Sequence, residues 1–488
     1  MHATACPRYA RQLHGGRGYA MMDVSGNHPR STMRALGVHT AWIGLSLALA
    51  TETAMAQFRP LRFDDDFKAQ HEACAEDRRA GCWKNLPVGA HARLSVGGDL
   101  RWRYEYAENP RYGLVPQDAW GVLMQRHSAF ANLSLGEHWR GFAQLASSRA
   151  NGRAGGPSPV DENRLDPTNL FVEWRSAMEG QDGVGVRAGI QELQFGSGRG
   201  IDAREGPNVR RSFDAVRVHV SSGAWRVDAF AAAPRLSRPG SFDDARSQTQ
   251  ALRGVYATRN GGATSWDVYV LHFEDTVSRY VQGVSHECRW SLGARAFGGR
   301  HGWDWNWESL VQGGRFGDDD IRAWSLATDT GYTFDDVVGR PRLALLVAVA
   351  SGDRDPDDDR LGTLNPLYPR GNYFGDEATL GPRNFFNIHP ALALQVGPRV
   401  RMSASLDFFW RYSTRDGVYS PNGMLISPVG DSRARYVATI ASVGATWAPA
   451  PGWSSSAVVA YARPGAFLRE TGADDALSLI SLTVQYRF

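Results

Sequence analysis

The sequence predicts an all-β protein, a transmembrane antiparallel β-barrel of about 18 strands with an N-terminal signal peptide. Three observations predict it. Apolar and polar residues alternate at period two in segment after segment. The connections between those segments alternate between long and short. The one strongly apolar stretch stands near the N-terminus and has the form of an export signal. The alternation alone would also suit a soluble sheet with its apolar face on a core, so the other two observations carry the distinction.

The export signal is ALGVHTAWIGLSLALA, residues 35–50, preceded by Arg30 and Arg34 and followed by ATETAMAQ. A basic flank, an apolar run and the small-residue triplet Ala54-Met55-Ala56 make a secretory signal cleaved before Gln57. Residues 1–56 are therefore an N-terminal extension and cleavable signal, within which Met33 would start a compact signal by itself. A mean hydropathy of −0.38 excludes a bundle of membrane helices, since each spanning helix needs about 20 consecutive apolar residues. Residues 57–91 form a short periplasmic segment ahead of the barrel. In it Cys74 and Cys82, in CAEDRRAGC, suit a local disulfide in an oxidising compartment.

From residue 92 to the end the chain reads as barrel. LSVGGDLRWRYEY at 94–106 sets Leu94, Val96, Leu100, Trp102, Tyr104 and Tyr106 against Ser95, Asp99, Arg101, Arg103 and Glu105. VRMSASLDFFWR at 400–411 does the same, and SLTVQYRF closes the chain with Ile480, Leu482, Val484 and Tyr486 opposed by polar neighbours. A strand with one face on lipid and one on an aqueous lumen requires this period. The segments near 124–135, 248–259 and 433–447 break phase once, which predicts a bulge in each.

Tight turns are expected at GEH near 136, SSG near 222, RNGG near 260, GRH near 300 and GP at 397–398. Long loops are expected at 107–120, 148–167, 193–211, 234–247, 276–286, 352–388, 416–432 and 464–476. Short turns on the periplasmic side and long loops outside are the habit of outer-membrane barrels. Aromatic residues gather toward strand ends, where their rings suit the headgroup level, and Phe488 closes the last strand.

Basic and acidic residues nearly balance, 54 against 51, and all basic residues but Lys68 and Lys84 are arginine. Position must therefore carry any argument about anions. Alternation points Arg101, Arg103, Arg187, Arg217, Arg295, Arg401 and Arg411 into the lumen, where rings of arginine select for anions. The densest run is GSGRGIDAREGPNVRRSFDAVR, 196–217, with Arg199, Arg204, Arg210, Arg211 and Arg217 beside Asp202, Glu205 and Asp214. As an external loop it either folds into the mouth and presents guanidinium forks to an acidic polymer or is held by internal Arg–Asp pairs, and the two are compatible.

These motifs resemble the alginate export family of outer-membrane porins. REGPNVRRSFDAVR at 204–217 resembles its most distinctive run. GDRDPDDDRLGTLNPLYPRGNYFG at 352–375 with GPRNFF at 381–386 is similar to a second, and LRFDDDF at 61–67 to its acidic start. The resemblance spans nearly all of residues 57–488 and implies an 18-stranded barrel with an electropositive lumen passing a polyuronate. Ile190, between Gly189 and Gln191, departs from the Gly-Arg-Gln often found there in the family.

Other chemistry has less support. The run DRDPDDD, 353–359, lacks the turn glycine and closing glutamate of an EF-hand and reads as a solvated acidic loop. No GxSxG motif marks a nucleophile elbow. The sequence thus predicts a monomeric, non-catalytic outer-membrane channel without cofactor or metal. Its partners are outer-membrane lipid, an anionic polysaccharide or oligosaccharide and periplasmic export components, with no nucleic acid. A general or differently specific porin is the first alternative, and an outer-membrane hydrolase the second.

Overall fold

The computed structural model describes residues 58–76, 83–176, 182–371, 374, 379–421 and 423–488. The signal peptide and Cys82 lie outside the described residues, as does the side chain of Cys74, so the expected bridge does too.

Eighteen strands form the wall. They are β1 (Ala92–Glu108), β2 (Val122–Leu135), β3 (Trp139–Asn151), β4 (Asn163–Arg175), β5 (Gly183–Gln191) and β6 (Phe213–Ser222). Next come β7 (Trp225–Leu236), β8 (Gln250–Arg259), β9 (Thr264–Tyr280), β10 (Gly283–Arg300), β11 (Trp303–Phe316) and β12 (Asp319–Thr333). The last are β13 (Arg342–Ala350), β14 (Phe385–Gly397), β15 (Val400–Trp410), β16 (Tyr436–Trp447), β17 (Trp453–Pro464) and β18 (Leu477–Arg487). Each pairs antiparallel with the next, and β18 returns to β1 with Leu100 opposite Tyr486 and Trp102 opposite Val484. Closure satisfies every strand edge, which a bilayer demands because it offers backbone groups no water.

The predicted faces are present. On β4, Leu170 and Val172 are 53% and 55% exposed on the outer surface, while Asn169 and Glu173 at 0% face the interior. A charge on the outer face would cost about 2–4 kcal/mol at the bilayer midplane. Trp139, Trp174, Trp225, Trp303, Trp447 and Trp453 are exposed at the strand ends beside the short turns, making the periplasmic aromatic belt. Phe488 clasps β1: its N–H donates to Gly98 O at 3.1 Å and its carbonyl accepts from Gly98 N at 3.0 Å. A Cβ on Gly98 would stand 2.2 Å from Ser128 O and 2.9 Å from the Phe488 ring, so only glycine fits the clasp.

Two expectations are corrected. The long loop at 276–286 is instead a tight hairpin between β9 and β10, and Phe316 to Asp319 is another. These strands run on because Tyr280, Phe316, Ile321 and Leu361 bury one another, so the loop carrying Leu361 supports the extended hairpins. Of the three predicted bulges only the last occurs, at Val437 opposite Phe409 and Trp410. The pairings of β2 and β8 run without a register shift. Their apparent phase breaks are chemical: Met124, Phe130, Leu252 and Tyr256 are apolar yet face inward and are buried. Met124 packs with Val122 and Ala150 of the wall, whereas Phe130, Leu252 and Tyr256 pack against protein inside the lumen.

Two segments supply it. A 3-10 turn at Arg62–Asp64 precedes a helix at Phe67–Glu76. There Leu61 and Phe63 pack with the inward Phe130, Phe142 and Phe171. Farther along, Leu193, Phe195 and Ile201 of the β5–β6 loop pack with Leu252, Tyr256 and Tyr269.

Candidate functional site

The β5–β6 loop crosses the lumen and is fastened by the arginines that alternation placed inward. Arg101 donates to Glu205 O and Pro207 O, both at 2.9 Å, and Arg103 to Gly206 O at 2.7 Å. Arg126 and Arg210 both ion-pair with the Glu205 carboxylate. Asn208 donates to the carbonyls of Gln125, Arg149 and Asp161, so residues 205–208 are held to β1, β2 and β3. The β13–β14 loop meets this one across the barrel. Asp202 N donates to Tyr368 O and Tyr368 N to Gly200 O, each at 2.9 Å, and Arg370 N to Gly198 O at 3.0 Å. Approach is close enough that a Cβ on Gly371 would lie 2.5 Å from Pro207 Cδ.

From the periplasmic end the N-terminal segment enters the same lumen. Arg62 pairs with Asp65 and Asp99 at 3.0 Å each, and Arg140 donates to Phe63 O. The Arg187 guanidinium stands over both the Phe63 and Phe171 rings, which meet edge to face, at 4.3 and 4.4 Å, and Arg187 pairs with Glu173 at 2.9 Å. Arg210 ties segment to loop, donating to Pro60 O at 3.0 Å and pairing with Glu192 at 2.5 Å. The pocket left among Arg62, Arg126, Arg210, Glu192 and Glu205 is only about 30 Å³.

On the extracellular side of this crossing lies a vestibule of about 1070 Å³. Its charged lining is Arg204, Arg211, Arg235, Arg279 and Arg383 against Asp275, with Phe273, Tyr280, Tyr368 and Tyr419 as its aromatic walls. Arg211 donates to Pro369 O at 3.3 Å and stands 5.2 Å over the Tyr368 ring. Arg383 donates to Gly423 O and Asn365 Oδ1 and faces Tyr280 and Tyr419. A second pocket of about 460 Å³ is charge-balanced, with Arg103, Arg111 and Arg153 against Glu105, Asp118 and Asp161.

The predicted residues therefore divide. Arg204 and Arg211 line the vestibule, and Arg103 the balanced pocket. Arg101 and Arg210 hold the crossing loop, while Arg187, Arg199 and Arg217 pair with Glu173, Glu308 and Asp228. Arg401 opens β15 at its periplasmic end, half-buried. Arg411, just past the end of β15, keeps the buried phase of Ser405, Asp407 and Phe409 but is not open to solute: it donates to the carbonyls of Thr414, Asp416, Ser432 and Ala434, with Phe467 at 3.8 Å. Arg411 thus fastens external loops. Arg126, Arg235, Arg279 and Arg383 were missed. Arg126 follows the alternation of β2, so only the unneeded bulge hid it.

A family model described as alginate export matches residues 92–479. No curated protein matches in sequence. Among solved structures, OccK1 (OpdK) of Pseudomonas aeruginosa is 11% identical with a TM-score of 0.55, over 81% of this chain and 98% of its own. OccD3 (OpdP) of the same species is 10% identical with a TM-score of 0.54, over 85% and 97%. A BenF-like porin from Pseudomonas fluorescens Pf-5 is 7% identical with a TM-score of 0.54, over 81% and 98%. These likenesses show the fold. With the closed barrel, its lipid-facing surface and its aqueous vestibule, they make this a porin-type channel of the outer membrane. Because the family model covers most of the chain, including both loops that build the crossing, the protein belongs to the alginate export family.

Proposed function

We propose that the protein passes an anionic polysaccharide or oligosaccharide of the alginate-like polyuronate class, or related anionic solutes, and catalyses no reaction. The observation that carries this reading is the vestibule, where five arginines, one of them (Arg235) paired with Asp214, meet one lining aspartate beside four aromatic rings. Guanidinium forks match carboxylates in a bidentate way and stay charged at any working pH. The rings offer flat apolar surface to sugar faces, and water keeps each contact weak enough to release the solute. The test is reversal potential and current block in planar bilayers. Anion preference together with block by uronate oligomers, and none by neutral oligomers of equal length, is the expected outcome. Equal permeability to both ions would overturn the reading.

A general diffusion porin is the second reading. It is favoured by the pairing of Arg187, Arg199 and Arg217 with carboxylates, which neutralises much of the lumen. Block by neutral and charged oligomers alike would select it.

A further inference from the structure

We propose that Asp166, Asp243 and Asp244 form a divalent-cation site, with calcium its ligand, that fastens the β7–β8 loop to the barrel wall. The three offer carboxylate oxygens within 4.8 Å of one another. Asp166 is only 2% exposed; the backbone amides of Asp243 and Asp244 face its carboxylate, but neither oxygen receives a well-formed hydrogen bond. Buried oxygens of the same neighbourhood are left over too: Asp243 Oδ1, Asn163 Oδ1 and Thr168 Oγ1.

The backbone builds this juxtaposition. Two register shifts between β3 and β4, at Gln144/Leu145 and Ala146/Ser148, re-aim the side chains of β4 around Asp166. The loop then lies along β4: Arg164 N donates to Gly240 O at 3.0 Å and Phe242 N to Leu165 O at 2.9 Å. That pairing delivers Asp243 and Asp244 to Asp166. Each is oriented by its other oxygen or by an amide: Asp243 Oδ2 accepts from Gly240 N at 3.1 Å, and Asp244 accepts from Arg238 N at 2.8 Å and Asn163 Nδ2 at 2.9 Å.

Charge decides what occupies the space. The nearby Arg235 places its guanidinium on Asp214 at 3.2 Å and on the Asp244 carbonyl at 2.7 Å, not on the three carboxylates. Three clustered carboxylates with lone pairs left over and no guanidinium on them are costly, so a cation is the natural complement. A set made wholly of carboxylate, amide and hydroxyl oxygens suits a hard cation. Calcium accepts 6–8 such ligands in irregular geometry, whereas magnesium demands a near-ideal octahedron. The acidic run at 353–359 forms no such group among the described residues. The inference does not depend on the transported solute.

The test is calcium titration by calorimetry of the full, detergent-solubilised protein after chelator treatment. A single class of site is expected, with a dissociation constant in the range of about 0.1–1 mM that extracellular modules use. Asp166→Asn and, separately, Asp243→Asn should each weaken it about tenfold or more, since loss of even an outer partner costs that much. Asp357→Asn should leave it unchanged. Calcium should also slow amide exchange at 240–244 in the wild type. Absence of calcium heat at millimolar concentration, or binding indifferent to both variants, would overturn the site. Magnesium binding as tightly would overturn the assignment to calcium.

Discussion

Reversing charge at Arg211 and Arg383 tests the vestibule directly. A volume of about 1070 Å³ is that of a sphere roughly 6 Å in radius, so a wall guanidinium stands roughly 8 Å from an ion at the centre. Coulomb's law in water then gives about 0.5 kcal/mol per pair of unit charges. Arg211→Glu with Arg383→Glu changes the wall by about four units, or roughly 2 kcal/mol before screening. At about 0.1 M salt the Debye length of about 10 Å leaves roughly 0.9 kcal/mol, unfavourable for anions and favourable for cations. The anion-to-cation permeability ratio should therefore fall about twentyfold. At about 1 M the Debye length is about 3 Å and the same ratio should fall less than about twofold. Arg211→Gln with Arg383→Gln should give half the free-energy shift, about fourfold at low salt. Reversal potentials in planar bilayers read all three numbers, and heat-modifiability confirms that the variants assemble. A ratio unchanged at low salt in assembled protein would show that these arginines only brace Pro369, Gly423 and Asn365.

Glu173→Gln should lower stability by about 3–5 kcal/mol, because it strands the buried Arg187 and Arg140 without their carboxylate; urea unfolding in detergent measures it. Removing residues 57–67 should raise single-channel conductance, since Arg62 and Phe63 occupy the lumen; an unchanged conductance would place the limiting constriction at the crossing loop alone. Burial, aided by Asp416 and Asp358, pushes the Asp353 carboxyl up to about 6 in the external β13–β14 loop. The folded loop thus favours the protonated acid, so its stability is fullest below about 4 and is lost as pH rises through about 6. Exchange at the Gly362 amide, corrected for intrinsic rate, should quicken over that interval, and Asp353→Asn should flatten the change. Mass mapping of unreduced peptides should find Cys74 joined to Cys82, and two alkylatable thiols in fresh native protein would rule the bridge out.

The sequence by itself determined the barrel, its strand number and, except where it wrongly predicted a bulge in β2 and β8, which face of a strand meets lipid. The bilayer imposes those features residue by residue: a strand such as β4 must alternate Leu170 and Val172 with Asn169 and Glu173 whatever the rest of the chain does. The tight periplasmic turns were equally legible, since glycines such as Gly223, at φ 54°, supply the left-handed residue such a turn needs. Only the tertiary structure decided which arginines are spent and which face the solute. Arg101 meets Glu205 O across 104 residues, and Arg62 reaches Phe488 O across 426. No local pattern encodes such partners. The filling of the lumen was likewise invisible, and it reversed the meaning of Phe130, Leu252 and Tyr256. Their apolar character looked like a slip in register, whereas they face inward and bury against a loop and an N-terminal segment that the chain folds back into its own channel. Period-two patterning records which side a residue faces only while the two sides differ in polarity, and protein packed inside the lumen removes that difference.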